Sequence, residues 1–131
     1  MAEADAPVIL LVEDDEDLRN AYRIVLSALG LRVVTADRGE DALSSLDAGP
    51  TDAIVADLGL PGLAGPRLVR SLRSAAPEAA LAVLTGHDSD SLRRSCRAAG
   101  ADVFLVKPVT ARELKAVLEE LLRSSSSGSP A

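Results

Sequence analysis

Five short apolar runs, VILLV (8–12), LRVVTA (31–36), AIVA (53–56), LAVLT (81–85) and VFLV (103–106), recur along the chain with a helical pattern after each. Runs this short and nearly unbroken suit strands buried on both faces. After the first run, Leu18, Ala21, Tyr22, Val25 and Leu29 fall at i, i+3, i+4, i+7 and i+11, one apolar stripe of a helix. Leu114, Val117, Leu118, Leu121 and Leu122 repeat that stripe in the last segment, and fainter versions occupy 40–47, 66–75 and 89–99. Gly30, Gly49 and Gly100 stand where left-handed helix caps are expected. Strict alternation predicts a single α/β domain of the doubly wound (βα)5 type, a parallel sheet with helices on both faces and right-handed crossovers. The reading gives residues 1–7 to an N-terminal extension, 8–123 to the domain, and the serine-rich 124–131 to a disordered tail.

Composition narrows the function. At 131 residues, 47% apolar and 26% charged, the chain reads as one globular domain with a real core. Tyr22 and Phe104 are its only aromatics, too few for a platform that stacks bases. A net charge of −6 disfavours a polyanion but not a metal cation or a basic protein surface. The single cysteine, Cys96, excludes an internal disulfide framework and a cysteine-based zinc site, and it reads as buried and inert. No apolar run approaches membrane-spanning length, and residues 1–7 carry no basic leader. The expectation is a cytoplasmic protein with no membrane partner and no direct nucleic-acid contact.

In an open doubly wound sheet the site lies beyond the carboxyl ends of the strands. Glu13 and Asp14 follow the first strand, Asp57 the third, Thr85 the fourth and Lys107 the fifth. The first strand runs into consecutive acids from Glu13 to Asp17. Glu16 and Asp17 are explained by the first turn of a helix, which favours acids, and Asp15 stays open between helix cap and site rim. Glu13, Asp14 and Asp57 meeting at one point cannot all ionise cheaply without a cation. Oxygen donors of this kind suit Mg²⁺, with Lys107 as a second positive charge and Thr85 as a hydroxyl donor. An aspartate can act as a nucleophile and form an aspartyl-phosphate.

Other readings fit less well. Gly59, Gly62 and Gly65 have GxxGxxG spacing and follow the third strand, which is not a dinucleotide fingerprint. An FMN site would need a phosphate-binding loop where the acids stand. A phosphatase of the haloacid-dehalogenase type would want a second acid two residues after Asp57, where Gly59 sits. His87 reads as an exposed loop imidazole, and Arg93, Arg94 and Arg97 as a solvated basic face.

These residues carry a resemblance. The acidic pair in LLVED, the DLGLPGLAG segment from Asp57, Thr85 in VLTG and Lys107–Pro108 in FLVKP are similar to the motifs of response-regulator receiver domains of two-component signalling, the CheY-like superfamily. The likeness covers residues 7–123. It implies a flavodoxin-like sheet of order 2-1-3-4-5, and Asp57 as phosphoacceptor for a phosphohistidine. It further implies Mg²⁺ held by Asp14 directly, by Glu13 often through water, by Asp57 and by the backbone carbonyl of Gly59. Thr85 and Lys107 would grip the phosphoryl group, Phe104 would be the switch aromatic, and the Lys107–Pro108 bond would be cis. Gly59 and His87 stand where the family's side chains tune phosphorylation and dephosphorylation rates, and Phe104 lacks a hydroxyl, so switching would rest on packing.

The partners so implied are a sensor histidine kinase or a histidine phosphotransfer protein, plus an effector the residues do not identify. A phosphorylation-dependent homodimer is compatible with this. The domain is expected to catalyse only its own Mg²⁺-dependent phosphorylation and dephosphorylation, not to turn over a substrate. It would act alone by docking or as the receiver end of a longer protein. The alternative is a pseudo-receiver, a phosphorylation-independent interaction module.

Overall fold

The computed structural model describes residues 6–127. Strands β1 (Val8–Val12), β2 (Arg32–Ala36), β3 (Ala53–Asp57), β4 (Ala80–Thr85) and β5 (Val103–Val106) alternate with helices α1 (Glu16–Ala28), α2 (Gly39–Ala48), α3 (Gly65–Ala75), α4 (Asp90–Ala99) and α5 (Ala111–Ser127). The strands form one parallel sheet in the order β2-β1-β3-β4-β5. This is the α/β architecture and strand order expected.

Because successive strand residues point to opposite faces, the sheet divides its apolar residues between two cores. Leu10, Val12, Ile54, Ala56, Leu81 and Val83 pack with residues of α2, α3 and α4, among them Leu46, Leu72 and Cys96. Ile9, Leu11, Val55 and Leu84 pack against Tyr22 and Leu26 of α1 and Leu114 and Leu118 of α5. The central strands β3 and β4 are buried throughout. That leaves β1, β3 and β4 to deliver their last residues at one edge, side by side.

Several expectations need correcting. β2 is not buried on both faces: it is an edge strand with one neighbour, and Val34 is 43% exposed. On α1 the buried face centres on Tyr22 and Leu26, whereas Ala21 is exposed and Leu29 is already the C-cap. The α5 stripe is as expected, with Leu114 and Leu118 fully buried. The same helix runs on through residues 124–127, the first part of the stretch read as disordered. Extending a formed helix fixes one residue per added bond, and serine tolerates it. Residues 128–131 of that tail, and 1–5 of the N-terminal extension, lie outside the described residues.

The glycines separate into two kinds. Gly30 and Gly100 have φ of +86° and +124° and cap their helices, as expected. Gly49 instead has φ −179° and ψ 172°, extended backbone. The cause is Pro50, whose ring pushes the preceding residue out of helical and left-handed space. Two opposite outcomes follow in thermal or urea denaturation. Gly49→Ala is neutral or stabilises by up to about 1 kcal/mol, since nothing lies near its Cβ direction and the unfolded chain loses freedom. Gly100→Ala destabilises, because a Cβ there would sit 2.7 Å from Arg73 Cγ on a left-handed backbone.

Candidate functional site

The ends of β1 and β3 and the loop after β5 bring Glu13, Asp57 and Lys107 into contact. Asp57 closes β3 opposite Leu84, so Thr85 is the next residue along β4. Glu13 and Asp57 are almost wholly buried, at 1% and 6% exposure, and Thr85 is buried beside them in the sheet edge. Lys107 Nζ lies 2.9 Å from Asp57 Oδ2 and 3.4 Å from Glu13 Oε1, ion pairs to both. The second oxygen of Asp57 accepts a hydrogen bond from the Gly59 N–H at 3.0 Å. Asp14 is exposed, but a carboxylate oxygen from each of Glu13, Asp14 and Asp57 lies within 4.8 Å of the others.

Electrostatically the cluster is short of positive charge. Burial pushes the Glu13 carboxyl up to about 7, the charge on Asp57 adds to this, and the Asp15 N–H and Lys107 oppose it without cancelling it. Burial pulls the Lys107 ammonium down, but its hydrogen bond to Asp57 and the charges of Asp57 and Glu13 outweigh that, so it is held above the usual lysine range. Three carboxylates, two of them buried, share one ammonium. An all-oxygen donor set with that deficit fits a hard divalent cation such as Mg²⁺, and Glu13, Asp14 and Asp57 are the residues that would hold it.

The remaining acids sort themselves by position. Asp15 is the N-cap of α1, accepting the Leu18 N–H at 3.0 Å, while its own N–H donates to Glu13 Oε2 at 3.2 Å. It therefore caps the helix and orients Glu13 at once. Glu16 and Asp17 are exposed in the first turn of α1.

Thr85 Oγ1 accepts the His87 N–H at 3.1 Å, and its own hydroxyl hydrogen is not used by that bond. The His87 side chain is exposed. Gly59 is in contact with Asp57 through its N–H. Phe104 is packed into the core at 8% exposure, across from Val83 on β4. The Lys107–Pro108 bond is cis.

Three contacts were not anticipated. Arg19 donates to the Glu13 carbonyl oxygen at 2.9 Å, holding the end of β1. Tyr22 donates its hydroxyl to the Val109 carbonyl oxygen at 2.9 Å. Arg93 is not simply part of a solvated face: its guanidinium stands 4.6 Å from the Phe104 ring centroid and pairs with Asp88 at 2.8 Å. A cavity of about 460 Å³ elsewhere, lined by Arg73, Ala80 and Asp102 among others, holds none of the site residues. Arg73 is occupied there as a clamp, donating to the carbonyls of Ala76, Pro77, Ala79 and Gly100.

Comparison with known proteins places this geometry in context. The family model of the response regulator receiver domain matches residues 9–119. The response regulator MprA of Mycolicibacterium vanbaalenii is 40% identical over 115 residues, 88% of this chain and 50% of that protein. The chain thus spans about half the length of the curated relatives it matches. A CheY-like receiver domain protein from Methanospirillum hungatei shares the fold at a TM-score of 0.91 and 24% identity, over 95% of this chain and all of that one (100%). The receiver domain of the sensor histidine kinase PA1611 from Pseudomonas aeruginosa, solved with a magnesium ion coordinated in its active site cleft, is 30% identical with a TM-score of 0.81, over 91% and 99% of the two chains. No helix among the described residues is long and apolar enough to cross a membrane.

Proposed function

The chain belongs to the response regulator receiver domain family, and from that membership we propose that it is a phosphoacceptor switch in which Asp57 takes a phosphoryl group from the phosphohistidine of a sensor histidine kinase or a histidine phosphotransfer protein. The observation that carries the proposal is the contact of Lys107 with Asp57 and Glu13, at 2.9 and 3.4 Å, inside a cluster of three carboxylates. Lys107, 2.9 Å from Asp57 Oδ2, orients the carboxylate that acts as the nucleophile. A carboxylate oxygen of Asp57 attacks phosphorus, and the O–P bond forms as the P–N bond breaks. The electron pair of that bond stays on the imidazole nitrogen, leaving the donor histidine neutral once protons equilibrate with water.

Glu13, Asp14, Asp57 and the Gly59 carbonyl would hold Mg²⁺, as the magnesium-bound receiver of the Pseudomonas aeruginosa kinase supports. Bound there, the ion would supply positive charge against the phosphoryl oxygens. Lys107 stands ready to exchange Asp57 for a phosphoryl oxygen, and the unused hydroxyl hydrogen of Thr85 offers that oxygen a second donor. Phosphorylation then switches a partner-docking face, with Phe104 under Arg93 as the element that repacks. The domain acts in the cytoplasm and catalyses its own phosphorylation and hydrolysis only. Incubation with Mg²⁺ and phosphoramidate, followed by intact-mass measurement, tests the reading. One added phosphoryl group that does not form when EDTA is present from the start is expected; a wild-type chain that takes none is a phosphorylation-independent interaction module.

A further inference from the structure

We propose that Tyr22, on α1, is a positioning residue for Lys107, and this rests on the phosphoacceptor reading above. Lys107 Nζ has to sit within hydrogen-bond reach of both Asp57 and Glu13, yet the lysine belongs to a loop and not to a strand. That loop is anchored at two points along its own side of the sheet. The Lys107 N–H donates to the Thr85 carbonyl oxygen at 2.7 Å. Thr110 and Glu113 form a reciprocal capping box at the start of α5, with the Thr110 N–H on Glu113 Oε1 at 2.9 Å and the Glu113 N–H on Thr110 Oγ1 at 3.0 Å.

Between those anchors stand Pro108, which has no N–H to give, and Val109. The Val109 carbonyl accepts from the Tyr22 hydroxyl at 2.9 Å, a bond spanning 87 residues of sequence and buried. It ties the lysine loop to α1, the helix that Asp15 caps beside Glu13. The same loop borders an open groove of about 360 Å³ lined by Leu18, Tyr22, Lys107, Pro108 and Val109. Val109 is itself buried in the core beside Tyr22, so the loop is held there by packing, and the hydroxyl bond adds the one directional tie that fixes its height above the helix. Leucine or phenylalanine would fill the same core position without that tie. A reacting group misplaced by a fraction of an ångström loses rate even when every residue of the site is present.

The test is Tyr22→Phe, which removes one oxygen from the whole chain. Phosphorylation by phosphoramidate at saturating Mg²⁺ is followed by intact mass, beside wild type and Leu72→Val, a variant in α3 that lowers stability from the core on the other face of the sheet. Loss of one hydrogen bond converts to a rate about threefold to tenfold lower in Tyr22→Phe, with Leu72→Val at the wild-type rate. The second readout needs no phosphate: amide and lysine-ammonium NMR shifts of Tyr22→Phe are expected to move at Val109, Thr110 and the Lys107 Nζ. Should Tyr22→Phe not fold, 3-fluorotyrosine incorporation alters the same hydroxyl in the otherwise unchanged chain, since Tyr22 is the only tyrosine, and the Lys107 Nζ shift is read there. An unmoved Lys107 Nζ signal, or a wild-type rate in the altered protein, overturns the positioning role. A wild-type chain that takes no phosphate while Lys107 Nζ still shifts overturns the phosphoacceptor reading and leaves the positioning of the lysine intact.

Discussion

Asp57→Asn is expected to abolish phosphoryl uptake completely while leaving the fold intact. Asparagine keeps the shape of the side chain and an oxygen to accept the Gly59 N–H, which now binds Asp57 Oδ1 at 3.0 Å. What it removes is the negative charge, and with it the nucleophile. Lys107 loses its 2.9 Å partner but retains Glu13 at 3.4 Å, so no buried ammonium is left alone. The metal-free variant should be at least as stable as wild type, because one of two buried carboxylates facing each other is gone. Intact mass after incubation with Mg²⁺ and phosphoramidate checks the first expectation, and urea denaturation in EDTA the second. Equal phosphate uptake in Asp57→Asn would move the acceptor to another side chain and sink the assignment. Uptake lost together with the fold would show that Asp57 is structural first.

The legibility of this molecule follows from where its residues are buried. Strands β3 and β4, covered on both faces, write themselves as unbroken apolar runs, and their ends lie within a residue of the expected positions. β2 has a similar apolar run but sits at the sheet edge, a difference that depends on strand order and not on local composition. The α1 stripe is narrower than its period suggests because Ala21 and Leu29 satisfy that period, yet Ala21 is exposed and the helix ends at Ala28, and periodicity marks neither. Gly49 shows a rule overridden by its neighbour: the helix-cap preference of glycine gives way to Pro50.

The site was legible for a different reason. A parallel sheet collects the residues after its strands at one edge, so Glu13, Asp14, Asp57 and Lys107 could be grouped before any distance was known. What stayed hidden are the contacts to backbone carbonyls. Arg19 on Glu13 and Tyr22 on Val109 both use main-chain oxygens, which every residue possesses and no sequence pattern marks. Arg93 over Phe104 was hidden as well, because an arginine on a polar helix face looks the same whether it meets water or a ring.

Replacing Lys107 with methionine should produce the largest pH-dependent loss of stability available at this site. Methionine keeps much of the side chain's apolar length, so the change removes the ammonium and leaves Glu13 and Asp57 buried against each other without a cation. Breaking a fully buried ion pair costs roughly 3–5 kcal/mol. Lys107 is 25% exposed, so about 2–3 kcal/mol at pH 8 is the reasonable scale here.

The sign with pH is set by Glu13. Its folded carboxyl is raised from 4.5 to about 7 even with the lysine present, so the folded state binds this proton more tightly than the unfolded chain does. That contribution to stability is complete below the unfolded value and is lost as pH rises through the folded one. Removing Lys107 takes away a group that opposed the shift, so the folded value rises further and the loss continues to higher pH. Lys107→Met should therefore be less stable than wild type already at pH 5 in urea and EDTA, through the lost pair with Asp57, and the gap should widen above about pH 7. Mg²⁺ should narrow the gap at pH 8, because a divalent cation among the same carboxylates replaces the missing charge. A gap that is the same at pH 5 and pH 8 would mean that Lys107 acts on Asp57 and not on Glu13.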